Sequence, residues 1–283
     1  MILIVDSGAT KSDWIALDSK GKQLFMTQTL GLSPEVLTRP VIEDRLANNF
    51  ELSKNQGKVT NLYFYGAGCG TDRMKIFLKE IFNDFFPNAK TIVKEDTYAA
   101  IYSTTKIGRQ GIVCILGTGS NCSYYDGNQL FQKVTSLGYI PMDDGSGNFF
   151  GRKLIRDYYF HKMPQALGMK FAKEYDLEAD VIKENLYKQP NPNTYLATFA
   201  RFLIENKDHP YCKGVIDKGF QQFVNNYIMQ FELATKVPIN FVGSIAHYLK
   251  DELVEVLKRN DLIVGVIRQR PIEGLMEFHR DTI

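Results

Sequence analysis

The stretch Ile4-Val5-Asp6-Ser7-Gly8-Ala9-Thr10-Lys11-Ser12 decides how the rest of the chain is read. An apolar run from Ile2 closes on an aspartate, small residues follow, and Asp13-Trp14-Ile15-Ala16-Leu17 begins a second apolar run. That is the pattern of a β-hairpin with a small-residue turn. Polar Asp18 to Lys22 makes the next turn and Gln23 to Leu30 a third strand, so the chain opens with a meander. The pattern then returns: Ile112 to Leu116 is apolar, Gly117-Thr118-Gly119-Ser120 is a turn, and Asn121 to Tyr125 reads as the returning strand. A diverged duplication would produce this, and so would two unrelated glycine hairpins.

Between the two turns, Leu62 to Tyr65 reads as a buried strand running into Gly66-Ala67-Gly68. Asp72 to Phe86 has one apolar stripe at helical spacing, Thr91 to Val93 is strand-like, and Tyr98 to Thr104 is helical. Strands followed by alternating strand and helix predict an α/β domain. The second half is more helical, with helices predicted over Tyr195 to Asn206 and Val215 to Lys236, and with His209-Pro210 read as a breaker. Pro238 to Val242 reads as a strand ending at Gly243-Ser244, before a helix from Ile245 to Arg259. Pro271 suits the first turn of a closing helix, Ile272 to Arg280, where no backbone donor is needed.

A chain of 283 residues with 44% hydrophobic content has room for two domains with cores of their own. Lys plus Arg number 34 and Asp plus Glu 32, which indicates neither a nucleic-acid track nor a polyanion-binding surface. Asp6 interrupts the apolar N-terminus well short of a signal-peptide core or a membrane span, so the expected location is cytoplasmic and no membrane partner is expected. Cys69, Cys114, Cys122 and Cys212 show neither CxxC spacing nor clustering with histidine, which argues against zinc and for free thiols. A small soluble partner fits best. A homodimer is allowed, the oligomeric state itself not being written in the sequence.

Small residues at such turns let backbone amides approach a phosphate, while Thr10, Ser12, Thr118 and Ser120 offer hydroxyls and Lys11 a charge. The same residues also serve a plain hairpin. Neither turn has Walker spacing, and no Gly-x-Gly-x-x-Gly opens a helix after a strand. Asp6 could hold a hydrated magnesium ion, or could only accept hydrogen bonds from its own turn. Asp96 reads as a helix N-cap and, compatibly, as a general base toward a sugar hydroxyl attacking a γ-phosphate. The run Ser136-Leu137-Gly138 to Asp143-Asp144-Gly145-Ser146-Gly147 is either a sugar-binding loop or a solvated turn with a helix cap.

Taken together, these motifs resemble the N-acetylglucosamine kinase and BadF/BadG/BcrA/BcrD ATPase-like family of the actin-like ATPase superfamily. The resemblance runs in family order through Asp6 to Ser12, Asp96 before Ala99-Ala100, Gly117 to Asn121, Asp143 to Ser146, Phe241 to Ser244 and Arg270 to Gly274. It implies two ribonuclease-H-like domains with ATP and sugar in a cleft between them, residues 1–107 with 271–283 and residues 108–270. It also implies ATP-dependent phosphorylation of an amino sugar, N-acetylglucosamine to its 6-phosphate, with Mg2+ at Asp6. Gly8, Thr10, Lys11, Ser12, Gly117, Thr118, Gly119 and Ser120 would meet phosphates, and Gly243 and Ser244 the adenosine. Asp96 would be the base, with Ser33, Asn121, Ser136, Leu137, Gly138 and Asp143 on the sugar side. Relatives often place Asn near a Gly where this chain has Gly31-Leu32-Ser33-Pro34. Two other classes resemble the same family: an ATPase that activates a radical dehydratase by electron transfer, which needs thiolates at an interface, and a non-catalytic nucleotide sensor.

Overall fold

The opening meander forms as its apolar runs and turns predict, in a computed structural model that describes residues 1–8, 11–106 and 108–281. Thr10, expected at the first turn, therefore lies outside the described residues. Strands β1 (Ile2–Ser7), β2 (Lys11–Leu17) and β3 (Gln23–Leu30) pair antiparallel in chain order. Helices α1 (Arg39–Ala47) and α2 (Phe50–Lys54) follow, neither of them predicted. Next come β4 (Asn61–Gly66), α3 (Asp72–Phe85), β5 (Lys90–Glu95) and α4 (Asp96–Thr104). Short turns make β1 to β3 antiparallel, whereas the helical crossovers leave β4 and β5 parallel to β1. The sheet order is β3-β2-β1-β4-β5.

Because β1 is central, both of its faces are covered, and Leu3, Ile4 and Val5 are all buried. Leu3 and Val5 join Trp14, Phe64, Leu78, Ile81 and Phe82 on the α3 side. Ile4 joins Ile15, Tyr65, Ala99 and Leu275 on the other.

The second sheet repeats this plan. Its β6 (Gly111–Leu116), β7 (Ser120–Tyr125) and β8 (Leu130–Phe131) form the antiparallel meander. A helical stretch follows: α5 (Gly147–Tyr159), α6 (Gln165–Glu174), α7 (Ala179–Tyr187), α8 (Pro192–Thr198), α9 (Ala200–Glu205) and α10 (Pro210–Asn226). Then β9 (Pro238–Val242), α11 (Ser244–Tyr248), α12 (Lys250–Arg259) and β10 (Ile263–Arg268) complete it. The order β10-β9-β6-β7-β8, with β9 and β10 parallel to β6, matches the first sheet strand for strand. Two such mixed sheets with flanking helices make the two-domain actin-like ATPase fold.

By contact density the chain divides into Met1–Ile107 with Arg270–Ile283, and Gly108–Gln269. The closing helix α13 (Pro271–Arg280) belongs to the first unit and packs on α4. A side chain at Gly274 would collide with the backbone of Ser103, so the two helices touch main chain to main chain. Tyr102 stacks on Phe278 at 4.3 Å, Tyr65 and His279 share a buried hydrogen bond of 2.9 Å, and Arg280 donates to the Gly21 carbonyl at 2.7 Å. Burial lowers the His279 pKa to about 4, with Lys94 adding to the effect, so the ring stays neutral at ordinary pH.

Several helix bounds differ from their predicted ones. The segment predicted as Tyr195 to Asn206 is α8 and α9, separated at Phe199. The helix predicted from Val215 begins at Pro210 and ends at Asn226, since Pro210 sits in its first turn and the His209 side chain accepts from the Tyr211 amide at 3.1 Å. A proline that reads as a breaker is thus a starter. The helix predicted from Ile245 to Arg259 is α11 and α12, divided at Leu249. Among the described residues no helix is long and apolar enough to cross a membrane.

Candidate active site

In the first unit the site grows from the β1–β2 turn. The Gly8 amide donates to the Lys11 carbonyl at 2.9 Å, which closes the turn. Below it, Ser12 Oγ donates to Ser7 Oγ at 2.7 Å, and the Leu32 amide donates to the same Ser7 oxygen at 3.1 Å. The Ser7 carbonyl accepts from Ala67 at 2.9 Å. Ser7 therefore ties three loops together: the hairpin turn, the segment after β3 and the glycine loop after β4. Ser12, expected to offer its hydroxyl to phosphate, is instead buried and bonded inward, and it braces the turn.

The segment after β3 brings Ser33 against the glycine loop. Gly68 has φ +80°, and a Cβ there would stand 2.5 Å from Ser33 Oγ. Only glycine satisfies both conditions. The same loop leads through Cys69, whose thiol burial pushes up to about 12, with Asp96 and Glu95 adding repulsion. Ser33, Gly68 and Asp96 thus belong to one neighbourhood.

Carboxylates dominate this end of the sheet. Asp6 stands directly opposite Asp13 across the β1–β2 ladder. Asp13 is compensated, holding Lys11 Nζ at 3.1 Å and Gln28 Nε2 at 2.6 Å. Asp6 is not, and its pKa rises to about 7, first through burial, then through repulsion by Asp96 and Asp13, against the pull of Lys11. Asp96 opens α4, but as its first helical residue, because Glu95 takes the cap position with no side-chain bond. That corrects the predicted N-cap by one residue. Burial and then Glu95 raise the Asp96 pKa to about 6, although the backbone amides of Thr97 and of Asp96 itself favour the charge.

Magnesium fits this chemistry, since Asp6 is a carboxylate made costly to ionise by burial and by its acidic neighbours, and a cation would relieve it. Among the described residues no cluster of three or more His, Cys, Asp or Glu side chains is arranged to hold a metal ion. Mg2+ does not require one, because it keeps several waters and is commonly bound by one or two carboxylates with substrate phosphates.

In the second unit, the turn between β6 and β7 is closed by Gly117 donating to Gly119 at 3.0 Å. The start of α5 presses on it, with the Gly147 amide donating to the Gly117 carbonyl at 2.8 Å and the Asn148 amide to the Thr118 carbonyl at 3.0 Å. Asn148 Nδ2 also donates to Asp143 Oδ2 at 2.8 Å, and that oxygen lies 2.7 Å from where a Gly119 Cβ would be. The expected sugar-side Asp143 and the expected phosphate turn are therefore in contact. Gly243, with φ +126°, abuts the same turn, where a side chain would collide with the Leu116 carbonyl. The Ser120 hydroxyl is buried and interacts with the Tyr227 side chain, and Asn148 Oδ1 is buried with no hydrogen-bond partner among the described residues.

Not every expected residue joins this cluster. Asn121 Oδ1 accepts from Ser123 and Gln132, both at 3.4 Å, along the β7 side. Ser136 and Leu137 are exposed, and Gly138 accepts through its carbonyl from the Met142 amide at 3.1 Å. Thr118 is exposed at the turn and Ser244 at the start of α11. Sequence reasoning overlooked Ser7, Glu95, Gly68 and Asn148. Glu95-Asp96 as adjacent acids, and Asn148 directly after Gly145-Ser146-Gly147, were the available signals.

Over 99% of each chain, the structure is similar to the crystal structure of the "Putative N-acetylglucosamine Kinase" of Porphyromonas gingivalis, with 34% identity and a TM-score of 0.93. It shares its fold with a second protein of that description from Chromobacterium violaceum, at 15% identity, 98% of each chain and a TM-score of 0.71. It also shares it with a ROK family glucokinase from Streptomyces griseus solved with glucose and AMPPNP, at 13% identity, 97% of this chain, 98% of that one and a TM-score of 0.60. No family model and no curated protein matches the chain. Identity of this degree over essentially the full length of both chains means that the protein belongs to the same family as the Porphyromonas gingivalis protein, a family of sugar-kinase type built on the actin-like ATPase fold.

Proposed function

We propose that the protein transfers the γ-phosphate of ATP to an amino sugar, N-acetylglucosamine at its 6-hydroxyl. The observation that carries this reading is Asp96: a carboxyl at the head of α4, raised to about 6 by burial and Glu95, is ionised near neutrality yet basic enough to accept a proton. In the reaction the sugar oxygen bonds to the γ-phosphorus as its proton passes to Asp96. The bond from the γ-phosphorus to the bridging oxygen breaks, and ADP leaves.

Backbone at Gly8, Gly117 and Gly119 approaches the phosphates, with Thr10, Lys11 and Thr118 contributing donors. Gly243 and Ser244 border the adenosine. Asp143, oriented by Asn148, and Ser33, packed on Gly68, receive the sugar, together with Ser136 to Gly138. Asp6 would hold Mg2+, which neutralises phosphate charge when bound. The electron-transfer alternative is disfavoured by the cysteines, all four of which are buried, whereas redox thiols need access.

Transfer of labelled phosphate from ATP across hexoses, hexosamines and N-acetylhexosamines tests the reading. The expected result is a labelled sugar, with N-acetylglucosamine the best acceptor. ATP consumption without a phosphorylated sugar in any case would overturn it.

A further inference from the structure

Lined by none of the residues assigned above, though next in the chain to some of them, a groove of about 920 Å³ lies between α5, α10 and the loop before Asp143 within the second unit. That volume falls in the range of small-molecule sites, roughly 300–1,000 Å³. Its walls combine apolar side chains, Ile140, Phe149 and Val215, with cationic ones, Arg152, Arg156 and Lys218.

The charges do not cancel. Lys153 is held by Asp157 at 2.7 Å, and Asp217, the acid on the lining, is already paired with Arg259 at 2.8 Å. Arg156 and Lys218 are exposed and have no ion-pair partner among the described residues; Arg156 lies over the Phe160 ring at 5.4 Å. Arg152 is fixed in place, because Nη1 donates to the Tyr139 carbonyl at 2.8 Å and the Ile140 carbonyl at 2.7 Å, yet it keeps its full charge. The groove lining is therefore net positive and also carries apolar side chains.

We propose that this groove binds a small organic phosphate, its phosphoryl group on Arg156 and Lys218 and its carbon body against Ile140, Phe149 and Val215. Guanidinium and ammonium groups make charge-assisted hydrogen bonds to phosphate that neutral donors do not match. A nucleic acid would instead call for a basic track beyond one groove, and 34 basic against 32 acidic residues give no such excess.

Calorimetric titration of the intact protein with glucose 6-phosphate, without ATP, tests the site independently of any turnover. Binding of this product-like ligand in the proposed active site would be common to the wild type and the groove variants, so the groove is read from the difference between them. The wild type is expected to bind, and the Arg156→Gln/Lys218→Gln double variant to bind at least about tenfold more weakly, while Arg156→Lys/Lys218→Arg restores binding. Glucose should show no groove-dependent difference between the two proteins. Equal affinity of the wild type and the double variant for glucose 6-phosphate would overturn the proposal. So would inorganic phosphate binding as tightly as the sugar phosphate, since the apolar wall would then contribute nothing.

Discussion

The turn after β1 and the turn after β6 occupy the same place in two sheets of the same strand order, yet different chemistry surrounds them. Around the first lie Asp6, Asp13, Glu95 and Asp96, with Lys11 as the nearby cation. Around the second lie the amides of Gly147 and Asn148, a buried serine hydroxyl and the carboxylate of Asp143. One scaffold has been used twice, and what differs is what the neighbouring helix brings. At the first turn α4 delivers an acid; at the second α5 delivers amides, and its asparagine holds an acid in place. On the proposed function, proton and cation chemistry belongs to the first turn and neutral recognition of phosphate to the second.

The largest effect expected from this division is at Asp96. Asp96→Asn keeps the shape of the side chain and its acceptor oxygen at the head of α4 but removes the base, so kcat should fall on the order of 100 to 10,000-fold. ATP binding, measured by titration with a non-hydrolysable analogue, should stay within about twofold, as uniform binding is untouched. Turnover near that of the wild type would remove the carboxylate from the reaction.

A smaller contrast separates the glycines. A Cβ on Gly8 meets as its nearest described atom the Lys11 carbonyl at 3.7 Å, an ordinary contact, whereas one on Gly119 meets Asp143 at 2.7 Å. Gly119→Ala should therefore cost about 1–3 kcal/mol of stability and raise the sugar KM, while Gly8→Ala stays within about 0.5 kcal/mol. Chemical denaturation of both variants measures the difference, and equal losses would erase the distinction between the turns. Ser33→Asn is of the same kind as Gly119→Ala. Ser33 is buried against Gly68, so the larger amide should cost about 1–3 kcal/mol, and a variant at least as stable as the wild type would show that the loop has room to spare.

The acids of the first turn also make stability depend on pH. Folding raises the Asp6 and Asp96 carboxyls from their ordinary 3.8 to about 7 and about 6, so ionisation opposes folding. Their penalty is absent below about pH 4, grows as pH rises from 4, and levels off above about 6 for Asp96 and about 7 for Asp6. Without Mg2+, Asp6→Asn should accordingly raise Tm at pH 8 and leave it unchanged at pH 4. An increase of equal size at both values would point to packing instead of charge.

Much of this was legible in the sequence because it is local. The β1–β2 and β6–β7 hairpins follow from apolar runs that meet small residues, and Asp96 stands out as an acid where a strand gives way to a helix. The strand β10 was not legible, because Gly265 interrupts its apolar run. In the fold a side chain there would collide with Asn240, and Val266 leaves the regular ladder to donate to Asn240 Oδ1 at 2.9 Å. The inward turn of Ser12 depends on Ser7 and on the Leu32 amide, a loop away in the chain. The pairing of Asn148 with Asp143 depends on α5 docking at the second turn. Breaks at Phe199 and Leu249 fall inside apolar stripes whose periodicity alone predicts continuous helices.

The division between the two turns is tested most directly by the pH dependence of kcat/KM for phosphate transfer to the sugar, with Mg2+ and ATP saturating. The rate should rise about tenfold per pH unit and level off near pH 6, where Asp96 loses its proton, and this acid limb should be absent in Asp96→Asn. A profile flat from pH 5 to 8 in the wild type, or the same limb surviving in Asp96→Asn, would contradict the assignment of proton transfer to the first turn.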